Sequence, residues 1–90
     1  MAVYITQIHL VDGFQHEHIA RVRWQDTQNS TQTGEASRQE MVDWINGGGQ
    51  AYVSQGGHTV AVGVVNANPP YIRTHADGIW TDNLLALPQF

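Results

Sequence analysis

Apolar and polar positions alternate over residues 3 to 10 and again over 17 to 25, in runs rich in β-branched and aromatic side chains. That period of two predicts two strands, and the Asp12-Gly13 pair between them marks a turn, so the pair reads as a hairpin with a long connection. In the second strand His18, Ala20, Val22 and Trp24 share one parity, and Ile19, Arg21 and Arg23 share the other. Val22 and Trp24 should therefore face the core and the arginines the solvent, with Ile19 as an exception. Residues 26 to 36 are polar and aperiodic, which predicts a mobile loop.

The pattern then changes period. Ser37-Arg-Gln-Glu40 is a capping box, so a helix should start at Ser37. At about 100° per residue, Met41, Val42, Trp44 and Ile45 fall on one side, with Gln39, Glu40 and Asp43 on the other. Asn46-Gly-Gly-Gly49 ends the helix, because glycine takes the left-handed conformation without a Cβ penalty. A phosphate-cradling nest would precede a helix rather than follow one.

Residues 50 to 55 and 58 to 66 predict a second strand pair, joined by Gly56-Gly57 in a two-residue primed turn. Val60, Val62 and Val64 make one bulky face for the helix, and Ala61 and Gly63 leave a small face open to close approach. Asn68-Pro69-Pro70 breaks the pattern. Tyr71 to Thr74 reads as a strand, Ala76-Asp77-Gly78 as a turn and Ile79 to Thr81 as the returning strand. Asp82 and Asn83 are capping types for a short helical turn through Leu84 and Leu85, stopped by Pro88. These elements predict a single α+β domain of order β-β-α-β-β-β, with an antiparallel sheet of four to five strands and one helix across a face.

Ninety residues at 41% hydrophobic and 13% charged fit a small globular domain with one modest core, which oligomerisation would help. Eight carboxylates face four arginines and no lysine, a net charge of -4 that opposes nucleic-acid binding. Without lysine there is no Schiff base or Walker-type loop, and without cysteine no disulfide, thiolate site or thiol nucleophile. The opening residues lack a basic region and an unbroken apolar run, and no stretch nears the roughly 20 apolar residues of a membrane helix. Cytoplasmic residence, with no membrane contact and no cofactor, is the expectation.

Tyr4-Ile-Thr6, His16-Glu-His-Ile19, Glu40-Met-Val-Asp-Trp-Ile45, Ala51-Tyr-Val53, Tyr71-Ile-Arg-Thr74, Asp77-Gly78 and Asp82-Asn-Leu-Leu-Ala-Leu-Pro88 together resemble a group of small bacterial domains of unknown function. The resemblance spans nearly the whole chain and is most specific in the last of these motifs. It implies a single intact domain and carries no catalytic residue.

His16 and His18, two apart at a strand start, would project to one face and could share a metal if His58, His75 or Asp77 converged on them. The plainer role is a solvated or hydrogen-bonded pair. Arg21, Arg23 and Arg73 could cluster to hold a carboxylate or phosphate if their strands are neighbours, with Tyr4, Tyr71 and Trp80 as stacking surfaces. Otherwise Arg73 pairs with Asp77 or Asp82, and Arg21 and Arg23 keep an outer strand soluble. Ser37, Ser54 or a threonine with His75 and Asp77 lacks a nucleophile motif, so no catalytic residue is assigned.

The expected function is a non-enzymatic binding or interaction module for a protein or small ligand. Its surface is built from His16 to His18 and the Arg73 to Asn83 hairpin, which a homodimer partner could complete. The alternatives are a His-based metal protein, perhaps hydrolytic, and an acidic inhibitor or decoy of a basic protein. Arg73, His75 and Trp80 are the hairpin side chains that turn and capping chemistry leaves unexplained.

Overall fold

The computed structural model describes residues 2–76 and 78–90. Its elements are β1 (Ala2–Leu10), a 3-10 turn (His16–His18), β2 (Ile19–Asp26), β3 (Thr33–Ser37), α1 (Arg38–Asn46), β4 (Gln50–Gln55), β5 (His58–Val65), β6 (Tyr71–Ala76) and β7 (Ile79–Thr81). Among the described residues the strands form one seven-stranded sheet in the order β3-β2-β1-β4-β5-β6-β7. All neighbours are antiparallel except β1 and β4, which pair in parallel from Ala2↔Gln50 to Tyr4↔Tyr52. The sheet is thus mixed and seven-stranded, not an antiparallel sheet of four to five strands.

The parallel pairing traces to one segment. Residues 33 to 37, polar enough to predict a loop, form β3 and pair with β2 from Thr33↔Gln25 to Ser37↔Arg21. An edge strand needs no apolar alternation on its outer side, which hides it from a period-two reading. Gly34 sits opposite Trp24, whose ring lies across the glycine backbone. With three strands before the helix rather than two, the chain direction entering α1 reverses. The crossover from β3 through α1 therefore delivers β4 parallel to β1, as a crossover helix does.

The ends of α1 follow local chemistry. Glu40 N–H donates to Ser37 Oγ at 3.1 Å, and Ser37 N–H donates to Glu40 Oε1 at 2.9 Å. The Ser37 backbone donor, then its hydroxyl, hold the Glu40 carboxyl below its ordinary range. Gly48, at φ 103°, supplies the left-handed residue after the helix. Gly56 and Gly57, both at positive φ, make the primed turn between β4 and β5.

The core lies on one sheet face. Val3, Ile5 and Ile8, Ile19 and Val22, Ala51 and Val53, Val62 and Ile72 form one cluster with Met41 and Val42 of α1 and with Leu84 and Leu87. Two register shifts reconcile the strand parities with this face. One, between Ile5 and Gln7, lets both Ile5 and Ile8 point inward; the other leaves Ala20 unpaired and turns Ile19 into the core. Asp82 and Asn83 cap no helix. Residues 83 to 87 close in turns, with Ala86 N–H donating to Asn83 O at 3.2 Å and Leu87 N–H to Leu84 O at 3.3 Å.

A Cβ at Gly34 would lie 2.6 Å from Trp24 Cζ2. Gly34→Val should therefore force the indole off β3 and lower stability by about 1–3 kcal/mol in urea denaturation, as overpacking does.

Candidate functional site

The 3-10 turn and the β6–β7 hairpin, distant in sequence, pack together. At their junction Arg73 Nη2 donates to Asp82 Oδ1 at 2.8 Å, and Arg73 Nε donates to the Thr81 carbonyl at 3.1 Å. Thr74, fully buried beside them, donates from Oγ1 to the same carbonyl at 3.1 Å and accepts from the Thr81 hydroxyl at 2.7 Å. His16 completes the group, only 5% exposed, with Nε2 at 3.9 Å from Asp82 Oδ1 and without a hydrogen-bond partner among the described residues.

Burial, and then the charge of Arg73, push the His16 imidazole below its ordinary pKa, against the smaller opposing pull of Asp82 and Glu17. Near neutral pH the ring is therefore neutral, and Asp82 is held by Arg73. The geometry brings His16, Arg73 and Asp82 together from two segments distant in sequence. Asp77, named with them as a turn residue, Arg73 partner and candidate ligand, lies outside the described residues.

His18 takes a different position. In a 3-10 turn residues two apart diverge by about 120° rather than sharing a face. The His18 ring lies over Gly13, and its Nδ1 accepts from Gln15 N–H at 3.2 Å. Among the described residues no group of three or more His, Asp or Glu side chains is placed to hold a metal ion.

On the opposite sheet face the register builds a row. Tyr4 pairs with Tyr52, Tyr52 with Ala61, Ala61 with His75 and His75 with Trp80. Tyr4, Tyr52, Ala61 and His75 each have a buried neighbour in their strand and so point away from the core, and Trp80 joins their face through its pairing with His75. The His75 ring packs edge-on to Trp80, with centroids 5.5 Å apart. Both lie over Gly63, where an added Cβ would come within 3.0 Å of the imidazole. The small face of β5 is thus the floor for this aromatic pair. At the sheet edge Trp80 remains 42% and Ile79 68% exposed.

Arg21 and Arg23 share that outer face but not the neighbourhood of Arg73. Three strands separate β2 from β6, close to 20 Å at ordinary strand spacing. Arg21 pairs with Glu35 at 3.4 Å. Arg23 donates to Gln7 Oε1 at 3.2 Å and lies over the Phe90 ring, 4.1 Å from its centroid. No short-range pattern predicts Phe90 or its neighbour His9 in that cluster, because the contact spans more than sixty residues. Also unforeseen is a groove of about 340 Å³ between β3 and α1, lined by Val3, Trp24, Glu35, Ala36, Glu40, Met41 and Trp44. Its two carboxylates are already engaged by Arg21 and Ser37.

The lowered pKa of His16 carries a sign. Below the ordinary value of 6.5 the unfolded chain holds a proton that the folded ring resists, so its contribution to stability is complete above that pH and is lost as pH falls. His16→Leu should lose less stability than the unmodified protein between pH 7.5 and pH 5, measured by urea denaturation at each pH.

The family model described as "Protein of unknown function (DUF3892)" matches residues 4–88, and the chain belongs to that family. No curated protein and no solved structure matches it significantly. No helix among the described residues is long and apolar enough to cross a membrane.

Proposed function

We propose that this DUF3892 member is a non-enzymatic interaction module that engages a protein partner through the β6–β7 hairpin and the outer face of the sheet. The observation behind this reading is the pair Ile79 and Trp80, 68% and 42% exposed on a three-residue strand at the sheet edge. Large apolar side chains on an open edge invite pairing with another strand. An incoming strand would take the backbone groups of β7, while Trp80 supplies the aromatic anchor that interface energetics favour. The row from Tyr4 to Trp80 extends the contact across the sheet.

A second copy of the chain is the simplest partner. Two β7 strands can pair antiparallel about a twofold axis, each offering the same patch. The reading has no use for a reacting group, and Arg73, His16 and Asp82 instead hold the hairpin at a fixed angle.

Sedimentation equilibrium should show a concentration-dependent dimer that Ile79→Lys shifts to monomer without lowering Tm, since Ile79 is exposed. If the protein is monomeric throughout, a protein captured on the immobilised domain must lose about tenfold or more in affinity with Trp80→Ala, as a hot spot would. Equal binding by the variant would reject this surface.

A further inference from the structure

β4 stays beside β1 only from Ala2 to Tyr4, and beyond that point this edge of β1 is open to another segment. Residues 87 to 90 take it. Ile8 N–H donates to the Pro88 carbonyl and Phe90 N–H donates to the Ile8 carbonyl, both at 3.0 Å, giving a parallel bridge between Ile8 and Gln89. Leu87 reaches into the core, and the Phe90 ring lies between the Arg23 guanidinium and the His9 imidazole, whose centroid is 5.7 Å away. The His9 Nδ1 also contacts the Phe90 carbonyl oxygen.

We propose that the edge of β1 beyond Tyr4 is a strand-accepting slot for an extended peptide with a Leu-Pro-x-aromatic pattern, filled in cis by residues 87–90. Each feature of the pattern has a receptor. The leucine enters the core, the proline occupies a position where its carbonyl accepts but no N–H is required, and the aromatic ring meets a cation and an imidazole. The bridge fixes direction and register through backbone bonds, as strand addition does.

The cis segment holds the slot through a single bridge, one ring on the outer face and the buried Leu87, fewer backbone bonds than a strand of the ladder makes, so it opens more readily than the ladder around it. A shallow cavity of about 460 Å³ beside it, lined by Thr6, Ser54, Gln55, Leu87 and Pro88 among others, leaves space where β4 and the closing segment part. A competing segment of another protein would displace residues 87–90 and leave the sheet intact. This slot is separate from the β7 edge and does not depend on it.

The test uses the full chain and a fluorescein-labelled heptapeptide, Leu-Leu-Ala-Leu-Pro-Gln-Phe, with the sequence of residues 84–90. Phe90→Ala weakens only the cis occupant, so it should bind the peptide about tenfold more tightly than the unmodified protein, because apparent affinity rises with the open fraction. Adding Arg23→Ala to that variant should abolish the gain. Equal affinity for both proteins, or no binding to a folded Phe90→Ala variant at millimolar peptide, would overturn the proposal.

If that variant does not fold, hydrogen exchange of the unmodified protein decides. The amides of Ile8 and Phe90 should exchange on the order of 100-fold faster than those of Val22 and Val62, reporting local opening of the slot. Exchange at the same rate would show that the segment opens only with the whole domain and would overturn the proposal.

Discussion

The pairing of β3 with β2 determines the architecture, because it sets the direction in which the chain enters its helix. A helix crossover returns the next strand parallel to the strand that preceded it. With β3 in place, that strand runs with β1, so β4 docks on β1 in parallel and the remaining strands extend the sheet outward. The pairing depends on a steric match, a wide indole at Trp24 against the bare backbone of Gly34. A larger side chain at 34 would place two bulky groups in one space, with the parallel docking of β4 downstream of the outcome.

Much of the remaining fold was legible from local chemistry. The Ser37–Glu40 box, the glycine stop after Asn46, the Gly56-Gly57 turn and the returning strand at 79 to 81 each depend on residues within a few positions of one another. What escaped was either polar or long-range. β3 lies at an edge, so it carries little of the alternation by which strands are recognised. Ile19 looked like an exception because the register shift at Ala20 is a property of two strands together. Asp82 and Asn83 looked like caps because their types suit that role, but a guanidinium from β6 takes the aspartate first.

The same distinction separates what could be read of the site from what could not. Arg73 with Asp82 was within reach of short-range reasoning, since a two-strand hairpin brings them together. The approach of His16 required the connection after β1 to pack against β6, a contact between segments nearly sixty residues apart. His16 and His18 do not share a face, because a His-x-His pair does so only in extended backbone and these residues form a 3-10 turn. The division of Arg21 and Arg23 from Arg73 follows from strand order, which no residue pattern discloses.

Strand order also bears on what kind of partner the domain can recognise. A net charge of -4 with four arginines could still bind an anion if those arginines were free, but each has a contact inside the chain: Arg21 with Glu35, Arg23 with Gln7 and Phe90, Arg38 with the Glu17 carbonyl, and Arg73 with Asp82. A phosphate or carboxylate arriving at Arg73 would have to compete with a carboxylate at 2.8 Å and would meet the repulsion of that displaced group. An extended backbone arriving at β7 or at β1 meets no such competition from charge. It gains hydrogen bonds at a sheet edge and apolar contact with Trp80 or the Phe90 position, both of which tolerate physiological salt because neither depends on ion pairing. The proposed recognition therefore rests on sheet edges and aromatic rings, with the arginines held in contacts inside the chain.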